Sequence, residues 1–151
     1  MRVAVVDIQS AITNSTRGAV LAKRYRDEVE KVRSELQMKE LKLKSLSERF
    51  ERERASLDAL SRLDREEYLL SLERSIKRGY EDSAERLGKK NEILGDELVE
   101  ELRIIVREIG KREGFAMIVE KTADFLLYVD DVIDLTEQVI CEVDKISEEG
   151  E

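Results

Sequence analysis

The apolar residues between Thr16 and Arg112 recur three and four positions apart, with charged residues between them. This spacing places one apolar stripe along a helix. It predicts two long helices folded back on each other, with the reversal between Ser61 and Asp64. Asp64 and Glu67 form a capping pattern that would open the returning helix. The predicted seam between the helices consists of Val29, Val32, Leu36, Leu43, Leu46, Phe50, Leu57 and Leu60 on the first and Leu69, Leu72, Ile76, Tyr80, Leu87, Leu94 and Leu98 on the second.

A reversal near residue 62 also predicts the register of this hairpin. Phe50 would meet Ile76, and Leu46 would meet Tyr80. The second helix contains three glycines, at 79, 88 and 95, and each costs about 1 kcal/mol relative to alanine. Few seam residues lie between positions 77 and 92. The middle of the hairpin is therefore predicted to be thinly packed and to bend.

Short β segments flank the hairpin on both sides. Val3 to Ile8, Phe115 to Glu120 and Phe125 to Val129 are predicted strands because they are rich in β-branched or aromatic residues. Gly114 suits the position that ends a helix, and Asp134 with Glu137 would open a last helix through about Ile146. The predicted oligomerisation body contains Val3, Val5, Val6, Ile8, Phe115, Met117, Ile118, Val119, Phe125, Leu127, Tyr128 and Val129.

These elements predict an α+β fold that is mostly helical. A long antiparallel helical hairpin, residues 16–112, would project as a coiled-coil tentacle from a small β body. Residues 1–15 and 113–151 would form that body. Three short strands with one small helix do not close a core alone, so we expect oligomerisation to complete it.

The amino-acid composition argues against several classes of binding function. The chain has 151 residues, of which 41% are charged and 5% aromatic, and it has no proline. The net charge of −8 argues against nucleic-acid binding, which requires neutralisation of phosphates. It also argues against adsorption to anionic lipid, so membrane contact is expected to be peripheral at most. The longest apolar runs are too short to span a bilayer.

Candidate chemistry is sparse, and no catalytic, cofactor-binding or metal site is predicted. The chain has no histidine, no glycine-rich phosphate loop and no cysteine pair. These absences argue against an enzyme. Asp130, Asp131 and Asp134 could suggest a cation, but they lack the spacing of an EF-hand, and a turn followed by a helix cap explains them better. Cys141, the single cysteine, is expected to be a small buried hydrophobe in the last helix, with a redox or crosslinking role as the alternative.

The start of the sequence gives no indication of compartment. Met1 and Arg2 lead directly into Val3, without a cationic segment, an apolar stretch and a cleavage site. The expectation is either a cytosolic protein or a mature form whose signal has been replaced by Met1.

The two ends of the chain resemble those of the Skp/OmpH family. The resemblance rests on the opening from Val3 to Gln9, on the charged hairpin, and on the segment from Phe125 to Ile140. Leu127 to Thr136 is the most specific part, similar to the tyrosine and acidic turn that precedes the family's last helix. The similarity covers nearly the whole chain.

The resemblance implies a periplasmic holdase chaperone for unfolded outer-membrane β-barrel proteins. Family members are homotrimers in which three tentacles surround a cavity that shields a client without ATP. The family's tentacles are basic, whereas this chain is acidic, with basic and acidic residues mixed between Arg49 and Arg78. Candidate client contacts are the apolar residues that fall partly off the seam: Met38, Leu41, Tyr68, Leu70 and Ile104.

Other classes of protein remain open at this point. The scattered apolar residues could be ordinary surface side chains. The hairpin could belong to a structural scaffold, such as a peripheral-stalk subunit of a rotary ATPase, which would need a stable hetero-partner. A prefoldin-like chaperone fits less well, because its strands lie between the two helices rather than outside them.

Overall fold

The computed structural model describes residues 2–149, and it describes side chains through residue 146. The described part is 81% helical with one small sheet, which confirms the predicted fold class. The elements are β1 (Val3–Val6), α1 (Ile8–Asn14), α2 (Thr16–Glu53), a 3-10 turn (Arg54–Ser56), α3 (Ala59–Glu113), β2 (Met117–Glu120), a second 3-10 turn (Asp131–Ile133) and α4 (Thr136–Glu149).

The chain divides into two compact units. The first unit contains Met1–Tyr25 and Asn91–Glu151, and the second contains Arg26–Lys90. The first unit therefore includes helical residues that the sequence pattern assigns to the tentacle. The functional division into a body and a tentacle stays a prediction.

The sheet of the first unit contains two parallel strands within the described residues. Val3 of β1 lies opposite Met117 of β2, and Val6 lies opposite Glu120. On the other side of β1, the Leu135 amide donates to the Val5 carbonyl at 2.8 Å. The predicted first strand is too long, because Asp7 ends it. Its carboxylate accepts from the Ser10 amide at 2.7 Å and caps α1.

The predicted strand from Phe125 to Val129 is wrong, since this segment has no regular secondary structure. A strand requires a partner, and Leu135 already occupies the edge of β1 that faces away from β2. Phe115 also lies outside β2. Its amide donates to the Gly110 carbonyl at 3.0 Å, and Gly114 has a φ of 71°, so these residues form the predicted end of the helix.

The core of the first unit forms where α3 and α4 meet β1 and α1. Its buried members are Val6, Ala11, Leu98, Leu102, Ile105, Ile109, Val139, Ile140 and Val143. α4 contributes the last three, which share one helix face. Cys141 lies on the other face and is exposed, so its predicted burial is wrong.

The second unit contains the reversal between α2 and α3. Asp58 caps α3, because its carboxylate accepts from the Ser61 amide at 2.9 Å and from the Ser61 hydroxyl at 2.8 Å. Asp64 lies inside α3. The predicted reversal was therefore several residues too late. The apolar spacing misplaced it, since Leu57 and Leu60 continue the seam pattern through the turn.

The earlier reversal changes the register of the hairpin. Phe50 borders the same groove as Arg65 and Leu69, rather than meeting Ile76. Tyr80 lies against Glu40, which raises the pKa of the tyrosine by accepting a hydrogen bond from it. Leu46 borders the same groove as Leu69, whereas Tyr80 lies against Glu40, so the predicted pairing of Leu46 with Tyr80 is wrong.

Two residues assigned to the seam are exposed instead. Leu60 lies in the first turn of α3 with 69% of its surface exposed, and Tyr80 is also exposed. Both follow from the misplaced reversal. The remaining seam residues are buried or half-buried: Val29, Val32, Leu36, Leu43, Leu46, Phe50, Leu57, Leu69, Leu72, Ile76, Leu87, Leu94 and Leu98.

Candidate client-binding and assembly surfaces

Apolar side chains lie exposed along both long helices. The five predicted client contacts (Met38, Leu41, Tyr68, Leu70 and Ile104) are each between 50% and 65% exposed. Their exposure leaves these side chains accessible to another molecule, and their contact with clients stays a prediction. The sequence analysis missed Leu63 and Ile93, which are exposed to a similar extent. Leu63 and Leu70 lie seven residues apart and therefore share one face of α3.

A small groove in the second unit lies beside this exposed stripe. Leu46, Phe50, Tyr68 and Leu69 supply its apolar lining, and its volume is about 230 Å³. This volume is large enough for one or two apolar side chains but not for a folded protein domain. Aromatic and leucine side chains around a small open groove can bind many different apolar groups weakly.

Two arginines at this groove are held by one carboxylate. Arg49 donates to Glu53 at 2.8 Å, and Arg65 bonds the other oxygen of the same group. The hydrogen bonds from Arg49 and Arg65 lower the pKa of Glu53, and Glu53 raises the pKa of Arg49. The positive charge at the groove is therefore partly neutralised, so its lining offers mainly apolar contact.

A second ion-pair group joins the two helices of the hairpin near the other end of the second unit. Glu28 on α2 accepts from Arg86 at 3.0 Å and from Lys90, both on α3. The hydrogen bond from Lys90 is the largest cause of a lowered pKa at Glu28. These pairs join the two helices in a stretch with few buried apolar residues.

The predicted body residues divide into three groups by their exposure to solvent. Val5 and Val6 are buried within the chain, while Val3, Ile8, Phe115, Ile118, Val119 and Val129 are half-buried. Met117, Phe125, Leu127 and Tyr128 are exposed, and Leu127 reaches 95%. Val132, which the sequence analysis did not single out, is also exposed. The exposed residues are those that remain available to another molecule.

The acidic residues before α4 form turns. Asp130 accepts from the Val132 amide at 3.0 Å, and Asp134 accepts from the Thr136 amide at 2.9 Å. Asp134 also binds Lys121 at 2.6 Å. Burial tends to raise the pKa of Asp134, but the hydrogen bonds from Lys121 and Thr136 outweigh it and lower the pKa. These bonds match the turn interpretation. Across residues 2–149, no group of three or more histidine, cysteine or acidic residues is arranged to hold a metal.

Among the described residues, no helix combines the length and the apolar character that a transmembrane span requires.

Along the chain, the two long helices α2 and α3 come between β1 and β2, the two strands of the small parallel sheet. The family model of OmpH-like outer membrane proteins matches residues 2–143, and the chain belongs to this family. No curated protein sequence matches it significantly.

One solved structure gives the same fold. It is an OmpH-like protein from Caulobacter crescentus CB15 that was proposed to be an outer membrane chaperone. The two structures align with a TM-score of 0.89 over 95% of this chain and 84% of that one, at 12% sequence identity. At this identity the similarity establishes the fold alone. The recognised resemblance to the Skp/OmpH family is confirmed.

Proposed function

We propose that the protein is an ATP-independent holdase that shields unfolded outer-membrane or other envelope proteins in the periplasm. The observation that carries this proposal is the row of exposed apolar side chains on the hairpin of an OmpH-like chain. An unfolded β-barrel protein exposes apolar segments of its own. Contact between the two sets removes apolar surface from water and keeps clients from associating with each other.

Binding would be the sum of many weak contacts. Full burial of a leucine or methionine side chain contributes about 1.5–3 kcal/mol, and these residues are already partly covered. A single contact is therefore too weak to hold a client. Several contacts on linked arms act at a high effective concentration and together give useful affinity.

Three copies would surround the client. The proposed homotrimer rests on the family resemblance and on the exposed residues after β2, which include Phe125 and Leu127. In this arrangement, the β-rich parts associate and the hairpins act as flexible arms. The bending of the arms is proposed for the stretch around Gly88 and Gly95, where the structure has open space beside both glycines.

The test uses a denatured β-barrel membrane protein diluted into buffer without nucleotide. Wild-type chain should suppress light scattering by the client at near-stoichiometric ratios. A variant with Met38→Ser, Leu41→Ser, Leu63→Ser and Leu70→Ser should lose most of this protection. The matched control changes exposed charged residues on the same helices, Lys44→Ser and Lys89→Ser, and should protect fully.

Two results would refute the proposal. Equal protection by the apolar variant and the wild type would remove the exposed side chains as the binding surface. A chain that gives no protection, and instead binds one hetero-partner tightly, would favour the scaffold alternative.

A further inference from the structure

The two helices of the second unit supply matching sets of side chains to the small groove described above. Each helix contributes one leucine, one arginine and one aromatic residue, and these are Leu46, Arg49 and Phe50 on α2 and Arg65, Tyr68 and Leu69 on α3. In each set, the second and third residues lie three and four positions after the first, so the set shares one helix face. The groove therefore combines apolar surface, aromatic rings and positive charge.

The apolar lining favours an aromatic ligand. Phe50 is buried, whereas Tyr68 is 50% exposed. These two rings and two leucine side chains border a space of about 230 Å³. A ring that enters this space buries apolar area and also makes edge-to-face or offset contacts with the rings of the lining, which an aliphatic side chain does not make. The groove should therefore prefer a ring to an aliphatic group.

The arginines give the groove a residual positive charge. Its lining contains two guanidinium groups and, among the described residues, no carboxylate. Glu53 beside the groove pairs with both Arg49 and Arg65, and it balances one of their two charges. The side chains of Arg49 and Arg65 are 63% and 42% exposed. Each guanidinium has more N–H donors than its bond to Glu53 uses, so donors remain for a second carboxylate.

Phe50 already makes the kind of contact that we expect of a bound ring. The guanidinium carbon of Arg54 lies 5.9 Å from the centroid of the Phe50 ring. A cation at this distance over a ring is attracted by the negative charge of the ring face. A ring bound in the groove beside Arg49 and Arg65 could make the same contact with either of them.

The ligand that fits these features has a ring for the apolar lining and a carboxylate for the arginines. An unfolded protein presents this pair wherever an aromatic residue adjoins an acidic one. We propose that the groove is a subsite that binds an aromatic side chain of an unfolded client, with a neighbouring acidic residue of the client at Arg49 and Arg65. This inference rests on the proposed function and specifies which client segments the second unit prefers.

Short unstructured peptides test this chemistry on the full chain. Three peptides of glycine and serine carry a central Phe-Asp, Leu-Asp or Phe-Lys pair, and methyl NMR follows the signals of Leu46 and Leu69 during each titration. The Phe-Asp peptide should shift these signals saturably and should bind at least threefold more tightly than either of the others. Equal binding of the three peptides, or no saturable shift at Leu46 and Leu69, would overturn the proposal.

Variants of the lining separate the ring from the charge. Tyr68→Ser should bind the Phe-Asp and Leu-Asp peptides equally, whereas Tyr68→Phe should keep the preference for the ring. Arg49→Gln should bind the Phe-Asp and Phe-Lys peptides equally, because Glu53 then balances the one remaining arginine of the groove. A Tyr68→Ser or Arg49→Gln variant that keeps the preferences of the wild type would overturn the proposal.

Two exposed residues of α3 outside the groove supply the matched controls. Tyr80→Ser removes a tyrosine that is 42% exposed, and Arg74→Gln removes an exposed arginine. Both variants should keep the peptide preferences of the wild type. The same loss of preference in these controls would show that the groove does not determine it, and would overturn the proposal.

A second copy of the chain is the alternative occupant of the groove. In spectra without peptide, the Leu46 and Leu69 signals should not change with protein concentration. Signals that change with concentration and do not respond to peptide would assign the groove to another copy and overturn the proposal.

These results separate the subsite from the proposed function. Loss of all peptide preferences, with full protection of an unfolded client in the light-scattering assay, would refute the subsite alone. Intact peptide preferences with no protection of unfolded clients would refute the holdase alone.

Discussion

The Cδ2 atom of Leu36 on α2 lies 2.9 Å from the position that a Cβ atom at Gly79 on α3 would occupy. Real Cβ atoms do not approach another heavy atom this closely, so the glycine allows the leucine to lie directly against the opposing helix. Leu36 is buried at this point. A glycine that costs helix propensity is thus compensated by close packing across the hairpin.

This relationship predicts different effects on stability for two glycine substitutions. Gly88 has open space around its Cβ position, so Gly88→Ala should stabilise the protein by about 0.5–1 kcal/mol. Gly79→Ala should give no such gain, because Leu36 must move to admit the new methyl group. Urea unfolding at one fixed protein concentration measures both. An equal gain at both positions would contradict the observed packing.

The position of the reversal can be tested at its cap. Asp58→Ala should destabilise the hairpin by about 1 kcal/mol, because it removes the acceptor for the Ser61 amide. Asp64→Ala, at the position that the sequence pattern favoured, should change stability by less than about 0.5 kcal/mol. Thermal unfolding followed by circular dichroism distinguishes them. If Asp64→Ala were more destabilising than Asp58→Ala, the reversal would lie at the later position that the sequence pattern predicts.

Glu28 should make the hairpin sensitive to acid. Its pKa is lowered in the folded protein from an ordinary value of 4.5, chiefly by the hydrogen bond from Lys90. A carboxylate with a lowered folded pKa contributes stability above its unfolded pKa, and this contribution is lost as pH falls through the folded value. We expect the thermal unfolding midpoint of the wild type to decrease as the pH is lowered below 4.5. The midpoint of the Glu28→Gln variant should decrease less steeply over the same pH range.

The matched variant for this prediction is Glu81→Gln, which removes an exposed charge from α3 without breaking the Glu28 pairs. It should follow the pH dependence of the wild type. If Glu28→Gln and the wild type lose the same stability between pH 6 and pH 3, the ion pairs do not contribute to the acid sensitivity. High salt should reduce the contribution of Glu28, because these side chains are exposed to solvent.

Bending of the arms predicts a gradient in hydrogen exchange. Amides between Gly88 and Gly95 should exchange faster than those around Leu102 and Ile109, which are fully buried in the first unit. Mass-spectrometric exchange with peptide resolution measures the difference. Equal protection of the two regions would contradict a flexible middle, while leaving client binding possible.

Local signals made part of this fold predictable. Thr16 begins α2 as expected, since Ser15 before it accepts from the Gly18 amide at 3.1 Å. Gly114 ends α3 with the predicted left-handed conformation. Caps of this kind depend on residues within one turn of each other, so the sequence alone specifies them.

The misplaced features depend on contacts that a sequence pattern does not contain. Leu57 and Leu60 keep the apolar spacing through the turn, so periodicity could not locate the reversal. The residues from Phe125 to Val129 have strand propensity but no strand partner in the described chain. Cys141 sits among apolar neighbours in sequence but on the exposed face of α4.

The apolar spacing predicted only some of the exposed residues of the candidate client-binding surface. Met38 and Leu41 fall off the seam of α2, so their exposure could be expected from spacing alone. Leu63 was missed because the predicted reversal placed it within the turn. Its position on α3 becomes clear only when the helix is known to start at Ala59.

The most direct test of the central claim is the mass of a complex. A denatured β-barrel membrane protein is diluted into wild-type chain in nucleotide-free buffer, and light scattering coupled to size exclusion measures the mass of the soluble species. We predict a discrete soluble complex of one client with one oligomer of the chain. Precipitation of the client, with the chain eluting alone, would contradict the account.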